Sequence, residues 1–538
     1  MRKLSITKAG SDTVNVIELD GQSLTLDQVM AVAKGKDVRV VMTDDARKRV
    51  VGSDSMKREM IEAGAPIYGV TSGFGDSSAQ QIPMRHVEEL QKNLISFLAT
   101  GTGPLATAEV SRATLIVRTN CLVRGWSGVR EGLIDLLLAC INNDVLPLIP
   151  EQGSVGASGD LVPLSYVGRM LTGHGDVMFQ GSLTPAGEAL NRIGCEPIVF
   201  DAKEGLAVVN GTSFMAAYAA IAISQARQLA YAATVCGALA SQVLLGNPDH
   251  YGQFVVEQKP HPGSVRSAAL MRSLLGTTSG AIGKTHERAS IETTQTLDRP
   301  LQDRYSVRCV PQIIGVLLDT LDWASSWVTT EINSSNDNPL FDPENGTVWN
   351  GGNFYGGHVG LAMDALKTAV ASVSDMLDRQ LELIVDEKFN NGLTANLVPW
   401  MTDTDERRGL LHGFKGMQIA ASALTAEALK LTMPATSFSR STEAHNQDKV
   451  SMGTIAARDA RTVIDLTRRV AAIHLIALSQ AVDIRGVEVL SPATESYFRK
   501  LREVSPFVSE DRALDGDITA VAALIEAGAF DEGACGAE

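Results

Sequence analysis

The sequence predicts a mainly α-helical protein, with an α-rich but irregular domain over residues 1–212 followed by a bundle of long antiparallel helices over residues 213–538. Two observations carry this expectation. Up to about residue 200, Gly and Pro punctuate short Val/Ile-rich runs and modest helical patterns, whereas from Ser213 on long apolar periodicities take over. Alanine-rich stretches, Ala369 to Ser374 and Ala420 to Ala428, accompany those periodicities and permit close helix approach.

Taken in order, Val38 to Met42 is a Val-rich run of strand character, and the pattern from about Thr107 to Asn142 reads as a helix. Phe214 to Ile223 is apolar, but Ser224-Gln225-Ala226-Arg227-Gln228 ends it after about ten residues, short of the roughly 18 a membrane span requires. It reads as a buried helix. Met363, Leu366, Val370, Val373, Leu377, Leu381 and Ile384 recur at three- and four-residue steps and mark one face of a helix of many turns. Comparable patterns cover Val310 to Ile332, Leu410 to Leu431 and Gly453 to Val482. The tail, Ser509 to Glu538, is acidic and Gly/Ala-rich, with fraying expected at its last residues.

Lys plus Arg total 47 against 62 Asp plus Glu, a formal charge of −15 that repels nucleic acid and anionic membrane and leaves a small zwitterionic substrate compatible. Six cysteines without a CxxC pair point to reduced thiols and no structural zinc. The amino terminus lacks the apolar core of a secretion signal, so a cytoplasmic location is expected. With no metal-ligand set or phosphate-binding Gly loop, neither metal nor nucleotide is expected.

The segment with the most specific chemistry is Ala157-Ser158-Gly159, inside Gly153 to Leu161 (GSVGASGDL). Alone, Gly-Ala-Ser-Gly also suits a tight turn or a helix N-terminus. If the Gly159 amide nitrogen attacks the Ala157 carbonyl, however, loss of water from the ring and from Ser158 leaves an alkene conjugated to an imidazolone, an electron sink made from the chain itself. Gly159 tolerates the compressed backbone that this closure requires, and Asp160 stands beside it to orient or shuttle a proton.

Further motifs accompany it: Tyr68 to Gly75 (YGVTSGFG), Lys203 to Ser213 (KEGLAVVNGTS), Gln302 to Gln312 (QDRYSVRCVPQ), Asn333 to Pro339 (NSSNDNP), Gly351-Gly352-Asn353-Phe354, Gly413-Phe414-Lys415-Gly416 and Glu443 to Asp448 (EAHNQD). Together they resemble the aromatic amino acid ammonia-lyase and 2,3-aminomutase family, and most nearly its phenylalanine-selective ammonia-lyases. Departures are Ser72 where Thr is usual, Tyr355 where His or Gln is frequent, and Ser264 where Gln is usual.

The resemblance implies a fumarase/aspartase-like fold and maturation of Ala157-Ser158-Gly159 to 4-methylideneimidazole-5-one (MIO). It implies Tyr68 as catalytic base, Asn210 at the MIO and the substrate amine, and Tyr305 with Arg308 at the reacting center, Arg308 gripping the α-carboxylate through two parallel hydrogen bonds. Phe354 lies near the MIO by the same resemblance. Lys415, Glu443, Asn446 and Gln447 line the amine side, and Leu206 and Gln302 complete the substrate contacts. A homotetramer with shared active sites is implied.

Phe97 and Leu98 are where the aryl group is expected; tyrosine-selective members resemble His-Leu there, histidine-selective ones Ser-His and phenylalanine-selective ones Phe-Leu. Neutral Gln447 stands where histidine-selective relatives carry a carboxylate. The expected reaction is therefore L-phenylalanine to trans-cinnamate and ammonia. A tyrosine or broad aromatic lyase and a phenylalanine or tyrosine 2,3-aminomutase are the alternatives. Glu443, where the better-known phenylalanine mutases carry Asn, favors release of the product. A MIO-free lyase of the fumarase type is the rival reading, but no GSSxMPxKxN segment is present.

Overall fold

The computed structural model describes residues 15–35, 38–276, 292–294, 296 and 300–531, so Cys535 and the end of the acidic tail lie outside it. The mainly helical expectation holds. Val38–Met42 is a strand and pairs in parallel with Asn15–Leu19 across the helix Leu26–Ala33, whose start is fixed by reciprocal Thr25–Gln28 capping.

The pattern at 107–142 is two helices, Ala108–Val123 and Glu131–Asn142, rather than one. Gly125 and Gly128 hold φ of 85° and 64°, and a left-handed backbone at two sites cannot continue an α-helix. The long periodicities fare better, as Ser213–Val243, Val310–Ile332, Gly357–Val385 and Gly453–Arg485. All seven residues of the Met363 to Ile384 stripe are fully buried. The Leu410 pattern starts its helix only at Lys415, running to Lys430.

The described residues pack into two compact units, one formed by residues up to Ser224 with Ala324–Asp364 and Pro434–Arg458, the other by Gln225–Trp323, Ala365–Met433 and Asp459 onward. This division differs from a single cut at 212 because four of its five limits fall inside the four long helices, the fifth following Met433 just after the helix Lys415–Lys430. Helices of 23 to 33 residues extend roughly 35–50 Å.

Within the second unit, buried polar groups fix how helices meet. The Lys367 ammonium donates to the Met433 carbonyl at 2.8 Å, Gln380 to the Ser306 carbonyl at 2.7 Å, and Ser374 and Thr425 share a hydrogen bond of 2.9 Å. In the first, Phe214 to Ile223 is buried throughout, with five alanines at full burial that admit close neighbors. No helix of the described residues is long and apolar enough to cross a membrane.

Candidate active site

The Ala157-Ser158-Gly159 turn follows the strand Pro150–Gln152 and precedes the helix Leu161–Leu171. Its backbone is left-handed at Gly156, Ser158 and Gly159, with φ of 74°, 50° and 78°. For Ser158 that conformation carries a steric cost, so neighboring groups must hold it. They do so from both sides. The Asp160 N–H donates to the Gly211 carbonyl at 2.7 Å, and the Met452 N–H to the Val155 carbonyl at 3.0 Å.

Asp160 is the buried anchor. Its carboxylate accepts from Ser154 Oγ at 3.1 Å, from the Met215 N–H at 2.8 Å, and from Thr454 Oγ1. Burial pushes the Asp160 carboxyl up to about 6, against the hydrogen bonds from Thr454, Met215, Ser154 and Phe214. The Met215 N–H belongs to the first turn of Ser213–Val243, where a helix favors an anion.

Tyr68 reaches the same place from the Gly-rich loop, its hydroxyl accepting the Gly75 N–H at 3.0 Å. Gly75 has a φ of 54°, and a Cβ there would collide with the Glu443 carboxylate. Burial raises the Tyr68 phenol above its usual value, the Gly75 N–H opposes the rise, and the Glu443 charge adds to it. Ser72, the departure from the usual Thr, braces the loop internally by accepting from the Gly69 N–H at 3.2 Å. Gln91 ties this loop to the helix Glu204–Val209, donating to the Gly69 carbonyl at 3.1 Å and accepting from the Leu206 N–H at 3.0 Å.

The turn and Tyr68 line a cavity of about 460 Å³. Phe97, Leu98, Leu206 and Phe354 form apolar parts of its wall; Asn210, Glu443, Asn446 and Gln447 are polar parts, with Gln447 Nε2 donating to Ser158 Oγ at 3.4 Å. Leu98 is buried, whereas Phe97 is 61 % exposed in the single chain, so covering its ring requires a bound aryl group or a second subunit. A larger cleft of about 990 Å³ beside Arg124, Trp126 and Trp349 contains none of the turn.

Eleven of the residues expected at the site from sequence thus meet at one cavity, with Gly159 in the turn beneath it. Gln302, Tyr305, Arg308 and Lys415 are not in its lining. They belong to the second unit, where the Arg308 guanidinium lies 4.6 Å from the center of the Tyr305 ring and donates to Gln302 Oε1. Lys415 opens the helix Lys415–Lys430.

Sequence reasoning passed over Leu94, Asn338 and Lys449 in the lining, and a buried ion pair behind it. Lys203 Nζ donates to Asp337 Oδ2 at 2.7 Å with both side chains fully buried, and Asp337 Oδ1 accepts from Asn210 Nδ2 at 3.0 Å. Burial lowers the Lys203 ammonium, against the pull of Asp337. The density of Asn and Asp in NSSNDNP was the available signal. Among the described residues no cluster of three or more His, Cys, Asp or Glu is placed to hold a metal.

The family described as aromatic amino acid lyase matches residues 24–503. A tyrosine ammonia-lyase of Cupriavidus metallidurans is 38 % identical over 526 residues, covering 96 % of this chain and 97 % of its own. A histidine ammonia-lyase of Shouchella clausii is 36 % identical, covering 95 % and 98 %. The crystal structure of a tyrosine aminomutase from Streptomyces globisporus matches with a TM-score of 0.89 at 32 % identity, over 96 % of this chain and 97 % of that one. Solved histidine and phenylalanine ammonia-lyases are also matched, and the helical architecture is the fumarase/aspartase-like one. Matched along nearly its whole length in sequence and in fold, the chain belongs to the aromatic amino acid lyase family.

Proposed function

We propose that the protein eliminates ammonia from L-phenylalanine to give trans-cinnamate, with MIO formed from Ala157, Ser158 and Gly159. The observation that carries this reading is a left-handed Ala-Ser-Gly turn at a cavity that also holds Tyr68 and Asn210 and is walled by leucines. The turn suits the group. A Cβ on Gly159 would strike the Gly211 carbonyl, so only glycine sits this close, and its N–H donates to no backbone carbonyl among the described residues, which leaves the nitrogen open to attack Ala157. Once formed, MIO supplies an electron-poor exocyclic methylene for the reaction.

The chain's own side chains account for the rest. Tyr68 takes the β-proton and must be a phenolate to do so, which its raised pKa confines to the alkaline side. Asn210 presents an amide to the substrate amine. Leu94, Leu98 and Leu206 exclude water from the aryl group and offer no hydrogen-bonding side chain to a phenol or imidazole. An apolar wall rejects an added hydroxyl by only about 10²-fold, so slower turnover of tyrosine is expected. Tyrosine as the preferred substrate is the second reading, favored by the tyrosine ammonia-lyase among its relatives.

Gln302, Tyr305, Arg308 and Lys415 serve, in this proposal, the site of a neighboring subunit in a homotetramer. Tyr305 is 71 % exposed, and the Arg308 guanidinium donates to Gln302 and pairs with no carboxylate among the described residues, which suits it to a substrate carboxylate. Purified protein is to be given phenylalanine, tyrosine and histidine, its products resolved and its intact mass recorded. Cinnamate from phenylalanine and a chain lighter by two waters are expected. Faster turnover of tyrosine overturns the substrate, β-phenylalanine as product overturns release, and an unmodified chain in active material overturns the electrophile.

A further inference from the structure

We infer that Asp337 and Lys203 are positioning residues that fix which end of the Asn210 amide faces the substrate. Asn210 terminates the helix Glu204–Val209 and is buried, 3 % exposed, at the cavity wall. Its side-chain nitrogen donates to two oxygens, Asp337 Oδ1 at 3.0 Å and the Asn338 carbonyl at 3.1 Å. A primary amide has two hydrogens to give, and both are used. A backbone carbonyl and an ionized carboxylate accept only, so rotating the amide would set oxygen against oxygen twice. The Asn210 carbonyl oxygen is therefore the atom left for the cavity, and an ammonium group, with donors only, needs such an acceptor.

This orientation depends on Asp337 staying ionized, because a protonated carboxyl would donate and could satisfy either end of the amide. Lys203 supplies the counter-charge at 2.7 Å, and the Asn338 N–H donates to Asp337 Oδ1 at 2.7 Å. Lys203 is itself held in the left-handed region, with a φ of 77°, directly before the helix that carries Asn210. A buried ion pair is a poor means of gaining stability, since apolar residues of similar volume often do as well. Its use here is directional.

The inference rests on the proposed amino acid substrate, and its test separates the two. Asp337→Asn is compared with wild type for binding of each aromatic amino acid and of its matching deaminated acrylate, which lacks the amine. For the pair the wild type processes, KM for the amino acid is expected to rise about tenfold or more while inhibition by the acrylate changes less than about twofold. The double variant Lys203→Met, Asp337→Asn removes the Lys203 charge together with its partner and should show the same split. Parallel weakening of both ligands, or no change in either, overturns the inference. Should tyrosine and its acrylate be the working pair, the phenylalanine assignment falls and the inference is judged on that pair. A wild type that processes none of the three refutes both.

Discussion

Replacing Gly159 by Ala tests the turn most directly. With φ at 78°, a Cβ in the left-handed region costs roughly 1–2 kcal/mol. That Cβ would also meet the Gly211 carbonyl, which now accepts the Asp160 N–H at 2.7 Å. Moving the carbonyl leaves a buried donor unpaired, about 1–3 kcal/mol more. The sum is about 2–5 kcal/mol, large enough to displace the turn. Gly52→Ala is the control, in the middle of the helix Asp44–Glu62 with nothing within 4 Å of its Cβ, where a gain of about 0.5–1 kcal/mol is expected. Denaturant unfolding measures both, and intact mass reports whether the two waters are still lost. A Gly159→Ala protein that unfolds with wild-type stability and has shed both waters would show that neither the backbone conformation nor the Gly211 contact constrains the turn.

Because burial and the Glu443 charge both raise the Tyr68 phenol, kcat/KM should climb from neutral toward alkaline pH, and Glu443→Gln should move that rise to lower pH; an unmoved profile counts against the coupling. If Arg308 serves a neighbor's site, two inactive variants, Tyr68→Phe and Arg308→Leu, refolded together should regain about a quarter of wild-type activity by random pairing, and no recovery would place both residues in one subunit's site. His474 is fully buried, and burial pushes its imidazole down to about 3. The unfolded chain takes a proton below about 6.5 that the folded one refuses, so stability present above that pH is lost at about 1.4 kcal/mol per unit as pH falls toward 3; urea midpoints should show a shallower slope in His474→Gln. Ala444→Gly, usually a destabilizing change, should instead stabilize by about 0.5–1 kcal/mol because it relieves a φ of 51° at an exposed position, a sign that a pair of urea melts reads directly.

The long helices were legible in the sequence because each buries a continuous stripe, and a period of 3.6 survives wherever one face is dry. Met363 to Ile384 shows this at every position. The break between Ala108–Val123 and Glu131–Asn142 was hidden because apolar residues continue on both sides of it, and only Gly125 and Gly128 betray the turn. Where the units divide could not be read at all. Helix periodicity reports what a residue faces, not which neighbors that face meets along 30 residues of helix.

At the cavity, sequence spoke through contiguous motifs and was silent on what holds them. Lys203 and Asp337 lie 134 positions apart, so no local pattern ties one to the other or either to Asn210. The loop at Glu443 is a sharper case. Glu443, Ala444 and His445 all take positive φ, between 50° and 66°, a conformation that none of the three prefers. Thr442 and Gln447 close it by two backbone hydrogen bonds of 3.0 and 3.3 Å and one between side chains of 2.9 Å. A right-handed turn would satisfy the chain at lower cost. The left-handed one brings Glu443, Asn446 and Gln447 to the lining together, next to Ser158 and Tyr68, so the strain is the local consequence of a placement that only the assembled cavity requires.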